Sequence, residues 1–283
     1  MPIKKIVSNV LTFTAYPFLS RERDITNLQF KLVNKNCEEL TYDSKLFFNV
    51  ISNCIQSVIE TFSYITMPGK LCVTMSNNSR QVLEKIITAD MPIMALTGHF
   101  GNWEMLALAG RKNEITITTA AKKANNFFIQ SLISTIREKI GIKTIWREKD
   151  KKNNVDQVLE ALKPGCIFAT LIDQDTRVKS IFSNFFGIPA KTPVTAVKIG
   201  LEKNCIFIAV FLVRQKENFE MILEEISHNN EKEIINNYQS VLEQVITKNP
   251  EQWVWFHKRW RSQDNGQVLS SAQYIDWLMK QVS

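Results

Sequence analysis

Apolar side chains recur at helical spacing through Phe47, Phe48, Ile51, Ile55, Val58, Ile59 and Phe62, a pattern that lines one face of a helix. Asp43 or Ser44 stands where an N-terminal cap belongs, so the pattern predicts a helix reaching about Ile65 and stopped by Met67-Pro68-Gly69. Beyond this point short apolar runs alternate with helical stretches. Strands are predicted at Ile93–Thr97, Ile115–Thr119, Thr144–Trp146, Cys166–Ile172, Cys205–Val213 and Phe219–Glu225. Helices are predicted at Trp103–Arg111, Phe127–Lys139, Val155–Leu162, Val194–Lys203, Glu231–Lys248 and Ala272–Lys280, with a turn at Pro164-Gly165. Such alternation points to an α/β fold, a central mixed sheet flanked by helices with functional loops at the strand C-termini.

The first twenty residues follow another pattern. Lys4 and Lys5 precede an apolar patch from Ile6 to Leu19, broken by Ser8, Asn9, Thr12, Thr14 and Pro17. Such a patch is shorter than the ~20 apolar residues that cross a bilayer and has no small-residue cleavage site. The segment reads as a short helix that lies on a membrane or packs on the body. With no linker, low-complexity tract or repeat in view, residues 1–283 read as a single domain in which 1–20 is an apolar, membrane-facing segment.

Composition narrows the partners. A hydrophobic content of 45% supports a large core, and a net charge of +7 suits an acidic partner: a membrane leaflet, a phosphorylated lipid, an acidic carrier protein or nucleic acid. The five cysteines are scattered, form no Cys-x-x-Cys pair and accompany only three histidines, so a zinc site is not expected. They read as buried thiols of a reducing compartment.

The chemistry concentrates in Thr97-Gly98-His99-Phe100-Gly101-Asn102-Trp103-Glu104, between a predicted strand and a predicted helix. A histidine on such a loop can take a proton near neutral pH, and a nearby carboxylate can hold its tautomer. His99 is therefore the candidate general base and Glu104 the candidate orienting acid. Backbone N–H groups of the Gly98–Asn102 turn are candidates for stabilising an oxyanion. Asn102 reads either as a helix cap or as a substrate contact, and Trp103 as core.

GHFGNWE resembles the signature of the lysophospholipid acyltransferase superfamily, specifically the late acyltransferases of bacterial lipid A biosynthesis. Two later blocks resemble the same family in order and spacing: Leu171-Ile172-Asp173-Gln174-Asp175 with Phe185-Phe186-Gly187-Ile188-Pro189-Ala190-Lys191-Thr192, and Pro250 to Arg261. The resemblance spans about Ser20 to Arg261. It implies a glycerol-3-phosphate acyltransferase-like fold and transfer of a fatty acyl chain from an acyl carrier protein thioester to a hydroxyl of a phosphorylated glycolipid, without metal or cofactor. It also implies work at the cytoplasmic face of the bacterial inner membrane, here as a peripheral or weakly anchored protein, because this chain lacks the spanning helix many relatives carry.

The resemblance assigns further residues. Asp173 and Gln174 would support the active site or bind the acceptor, while Asp175 and Arg177 read equally well as solvated charges. Thr192 matches a family threonine, and Ile188 stands where relatives often have arginine. Lys122 takes the place of a family arginine, Asn126 fits a family asparagine, and Arg147 is a candidate anion contact after a strand. In the third block Trp253 and Trp255 alternate before His257-Lys258-Arg259-Trp260-Arg261. Tryptophan beside arginine is typical of a membrane interface, and the resemblance makes the block structural and lipid-facing with Arg259 near the site. His257 reads as a packed histidine and His228 as a loop residue. The same aromatic-basic run would suit single-stranded nucleic acid, but no nucleic-acid-binding fold accompanies it, so no nucleic-acid partner is expected.

Overall fold

The structure is a computed structural model that describes residues 2–37, 39–40, 43–67, 71–111, 115, 117–147, 151–216, 218–227 and 229–283. His228, Pro68, Gly69, Glu148 and Lys149 lie outside the described residues. In chain order the elements are α1 (Pro2–Ala15), α2 (Ser20–Asn34), α3 (Leu46–Thr66), β1 (Val73–Thr74), α4 (Asn77–Thr88) and β2 (Ile93–Thr97). A 3-10 turn at Trp103–Met105 leads into α5 (Leu106–Arg111), followed by β3 (Ile117–Lys122), α6 (Phe127–Ile140), β4 (Ile142–Arg147) and α7 (Lys151–Ala161). Then come β5 (Ile167–Leu171), β6 (Ser180–Phe185), β7 (Ile188–Pro193), α8 (Thr195–Glu202), β8 (Ile206–Gln215), β9 (Asn218–Glu225), α9 (Glu231–Lys248) and α10 (Ser271–Val282).

Seven strands form one sheet in the order β1-β9-β8-β2-β5-β3-β4. The run from β8 to β4 is parallel, β9 is antiparallel to β8, and β1 is parallel to β9. The fold is thus α/β with a mixed central sheet, as the alternating pattern predicts. The side-chain period of two divides the core between the faces. Met94 and Leu96 of β2 join one apolar cluster with Phe207, Phe211 and α9, while Ile93 and Ala95 join the other with Ile208, Val210 and α4. β2 is buried along its whole length, which explains why it reads as a continuous apolar run.

Local signals set several boundaries. Asn126 caps α6 by accepting from the Ile129 N–H (3.1 Å), and Gly141 ends that helix at φ 85°. Ser270 and Gln273 form a capping box at the start of α10. Asp43 does not cap α3 directly. Its carboxylate accepts from the Lys45 N–H (2.8 Å) and turns the chain just ahead of the helix. The predicted Trp103–Arg111 helix opens as a 3-10 turn, and β3 begins at Ile117 and runs to Lys122 rather than spanning Ile115–Thr119. The pattern predicts no element over α2, α4 or the β6–β7 hairpin, all of which are present.

Candidate active site

His99 lies on the loop that leaves the C-terminal end of β2. β2 and β5 are parallel neighbours, with Thr97 the partner of Leu171. Two further residues along each chain place His99 beside Asp173. The His99 Nδ1 stands 2.8 Å from Asp173 Oδ1, and the His99 backbone N–H donates to Oδ2 at 2.8 Å. The Trp253 indole N–H donates to the same Oδ2 at 3.0 Å. Asp173 is fully buried and the imidazole is partly exposed, with 28% of its side-chain surface open. Burial alone would depress the His99 pKa, but the Asp173 charge and hydrogen bond, helped by Glu104, outweigh it and raise the pKa above the ordinary 6.5. Asp173 is held well below the usual carboxylate range: burial acts to raise it, but the His99 charge and three hydrogen bonds prevail. With Nδ1 engaged by a carboxylate, Nε2 is the nitrogen left for a substrate proton.

Glu104 is placed differently from the sequence expectation. Its carboxylate pairs with Arg137 of α6, at 2.8 Å to Nη2 and 3.3 Å to Nε, and acts on His99 through its charge. The carboxylate on the His99 ring is Asp173. The reason is geometric: after Gly101 the chain turns into the 3-10 segment, which carries Glu104 toward α6.

Glycine is required twice in the loop. A Cβ on Gly98 would lie 3.1 Å from both Asp173 Cγ and the Tyr238 hydroxyl, which itself donates to the Thr97 carbonyl at 2.7 Å. Gly101 has φ +58°, and a Cβ there would fall 2.1 Å from the Leu212 carbonyl oxygen. The third block backs this loop. The Gly101 N–H donates to Gln252 O (2.9 Å), and the Val254 N–H to His99 O (3.2 Å). Four of the five backbone donors proposed for an oxyanion are spent: His99 N–H goes to Asp173, Phe100 to Gly98 O, Gly101 to Gln252 O and Asn102 to Leu212 O.

Asn102 is buried and does not cap the following turn with its side chain. Its amide instead donates to Ser57 O and to Glu60 Oε2, both at 3.1 Å. Glu60 is fully buried and takes two hydrogen bonds from Arg214, from Nε at 2.7 Å and from Nη2 at 2.8 Å, with Gln56 adding a third at 2.8 Å. The Ser57 hydroxyl donates to Gly101 O at 3.2 Å. Thus α3 and β8 grip the loop from below through a buried, hydrogen-bonded ion pair.

Two apolar cavities meet at Trp103, Glu104 and Arg137. The first lies between the sheet and α4–α5, lined by Ala95, Ala169, Ile208, Met221, Ile86 and Ala107 among others. The second lies between α3 and α6, lined by Val58, Phe62, Ile133 and Ile136 among others. Trp103, expected as core, is half-buried at the junction, its ring edge-on to the His99 ring with centroids 5.2 Å apart. Arg137 Nη1 is buried there with no hydrogen-bond partner among the described residues.

The remaining candidates divide. Lys122 and Arg147 are exposed register partners at the C-terminal ends of β3 and β4. Asn126 is exposed and serves as the α6 cap, and Gln174 is partly buried beside Asp173. Thr192 and Arg259 are fully buried and bonded to each other (2.7 Å), with Arg259 also donating to Lys191 O (2.6 Å) and lying 5.2 Å over the Phe185 ring. They hold the β6–β7 hairpin. Asp175, open to a reading as a solvated charge, is buried and accepts from the Ser262 N–H and hydroxyl, whereas Arg177 is exposed. The third block is not lipid-facing in its aromatics: Trp253, Trp255 and Trp260 are all buried. Burial pushes the His257 pKa down to about 4, so this ring is neutral at pH 7.

Sequence reasoning gave Asp173 a supporting role and passed over Trp253 and Glu60 as site residues. The signal for Asp173 is the strand register, visible only once β2 and β5 are known to be neighbours.

A histidine–carboxylate pair at the C-terminal edge of a parallel sheet, next to a tryptophan that lines two apolar cavities, suits general-base chemistry on a substrate with an apolar part. The sequence profile described as bacterial lipid A biosynthesis acyltransferase matches residues 11–262, and the chain belongs to that family. It is therefore an acyltransferase of lipid A biosynthesis. Among curated proteins no match to the chain was found.

Proposed function

We propose that this protein moves a fatty acyl chain from an acyl carrier protein thioester to a hydroxyl of a phosphorylated glycolipid precursor of lipid A, with His99 as general base oriented by Asp173. The observation that carries the reading is the His99–Asp173 pair, whose imidazole stands edge-on to Trp103, a residue that lines both apolar cavities. His99 Nε2 takes the proton of the acceptor hydroxyl as its oxygen attacks the thioester carbonyl. The tetrahedral intermediate collapses, the C–S bond breaks, and the departing thiolate receives the proton from the imidazolium. Arg137, clamped by Glu104, keeps an Nη1 that has no hydrogen-bond partner among the described residues, and this group supplies charge for the oxyanion. The cavity beneath α5 takes the transferred chain. Lys122 and Arg147 present two cations at the same edge of the sheet for an acceptor phosphate, and the net charge of +7 also suits an acidic carrier.

The test combines purified protein, labelled acyl carrier protein and a phosphorylated disaccharide lipid, with His99→Ala alongside. Transfer that falls by about 10²–10⁴ in the variant supports the reading. Hydrolysis that depends on His99 without transfer moves the search to another hydroxyl. Turnover indifferent to His99 overturns the assignment, and transfer from coenzyme A thioesters alone replaces the donor.

A further inference from the structure

The helix α1 is turned inside out. Ser8 and Thr12 are fully buried, Ser8 against the Ser52 hydroxyl of α3 at 3.1 Å, while Ile3, Ile6, Val10 and Phe13 face outward with 58–75% of their surface open. At 100° per residue the outward apolar positions of α1 occupy one continuous arc. Phe18, just beyond the helix, is 85% exposed. A helix packing for solubility in water would present the opposite face.

The exposed apolar surface does not stop at α1. α1 packs on α3, and α3 packs on α6. On α3, Val58 and Phe62 are exposed; on α6, Phe127 and Phe128 are 78% and 80% exposed, with Ile129 and Leu132 half open beside them. Patches of this kind mark a partner or a membrane. Charge selects between them. Residues 2–15 contain no acidic side chain but carry Lys4 and Lys5, and Lys122 and Lys123 stand exposed just before α6. Val58 and Phe62 also line the second cavity, together with Trp103, Glu104 and Arg137.

We propose that α1, α3 and α6 form an in-plane docking face for an anionic lipid bilayer, and that the cavity between α3 and α6 admits the acyl chain of the acceptor from that bilayer to His99. The second clause rests on the proposed acyl transfer; the first does not. A lipid acceptor brings apolar chains of its own to the site, in addition to the acyl chain of the donor. The two apolar cavities share Trp103, whose ring stands edge-on to His99. No helix among the described residues is long and apolar enough to cross a membrane; the outward apolar arc of α1 suits a helix lying in the plane of the surface.

The experiment uses sedimentation with phosphatidylcholine vesicles, with and without phosphatidylglycerol. Wild type is expected to pellet with the anionic vesicles, and a Val10→Asp/Phe13→Asp variant to partition about tenfold or more weakly, the scale of losing buried apolar side chains. Hydrolysis of a water-soluble short-chain thioester, measured without vesicles, is expected to be unchanged in that variant, which shows that it folds. Ile133→Trp, filling the second cavity, is expected to keep vesicle binding and lose transfer to an acceptor embedded in the vesicle. Wild type that stays in the supernatant of both vesicle types, or a double variant that pellets like wild type, overturns the docking face. Undiminished transfer by Ile133→Trp overturns the acceptor route. Anionic pelleting with no His99-dependent turnover supports the face while removing the chemistry.

Discussion

His99 and Asp173 stand two residues beyond Thr97 and Leu171, which are register partners at the ends of adjacent parallel strands. β3 and β4 intervene in sequence but not in space. The pair is therefore built by the sheet itself, and its geometry is as rigid as the β2–β5 ladder. A base on one strand end and its orienting acid on the neighbouring one need no flexible loop to find each other.

Asp173→Asn tests the pair directly. As a base, His99 must be neutral, so the rate of transfer falls as pH drops through its pKa, which the site raises above 6.5. The asparagine removes the charge that raises it, leaving burial to push it down. The acid limb of the pH–rate profile should move to lower pH while the plateau drops by about 10²–10⁴, the cost of a misdirected tautomer and an unsupported imidazolium. A lower plateau with an unmoved acid limb argues that Asp173 acts on folding alone.

Glu104 and Arg137 should behave as one unit separate from Asp173. Glu104→Gln frees the guanidinium, and Arg137→Gln removes it, so either change leaves the junction without its positioned charge. The double variant should be hardly slower than the worse single one, whereas Glu104→Gln combined with Asp173→Asn should multiply the two losses. Measuring kcat/KM for the two cycles decides. Strong coupling of Glu104 to Asp173, with additivity toward Arg137, would return Glu104 to the role of His99 partner.

The sequence made the middle of the sheet legible because β2 and nearly all of β8 are buried on both faces and read as unbroken apolar runs. Ile93–Thr97 and Glu231–Lys248 are found at their predicted bounds. α2 was hidden by its charged opening, Ser20-Arg21-Glu22-Arg23-Asp24, and by apolar positions that also contact the third block. There Gln29 is buried and donates to the carbonyls of Trp255 and His257. The hairpin was hidden by its turn, Phe186-Gly187, both at positive φ (51° and 77°), a conformation phenylalanine rarely signals. In the site, the motif located His99 and its neighbourhood. The identity of its carboxylate partner depended on strand order, and the burial of Arg259, Thr192 and the tryptophans on long-range packing that local spacing does not encode.

Gly101→Ala should be among the most damaging small changes in the chain. The added methyl would meet the Leu212 carbonyl at 2.1 Å, and the residue would be held at φ +58°. Backbone on both sides is fixed by bonds to Gln252 and Leu212, so the loop cannot give locally. A loss of about 3 kcal/mol or more is expected from strain and displaced hydrogen bonds. Thermal unfolding checks it, and Gly165→Ala provides the control, since a methyl there meets nothing within 4 Å despite φ +73°. Equal melting temperatures for the two variants would show that close approach at Gly101 is not what matters.

Chain length should be set within the first cavity at the level of Ala95 and Ala169. These two are register partners on β2 and β5 and both line the cavity. They lie two residues below Thr97 and Leu171, about 7 Å deeper at the rise of a strand. Two small side chains facing the cavity at one level keep it open toward Ile208 and Met221. Ala169→Leu narrows it there, so an acyl chain loses burial for every methylene beyond that depth. Each lost methylene costs about 0.8 kcal/mol, or about fourfold in kcat/KM, so the preference should shift toward shorter donors with little change for the shortest. Transfer rates across a series of acyl carrier protein thioesters read the shift. A uniform fall at every chain length would mean that the leucine disturbs His99 rather than the cavity, and an unchanged profile would place the acyl chain elsewhere.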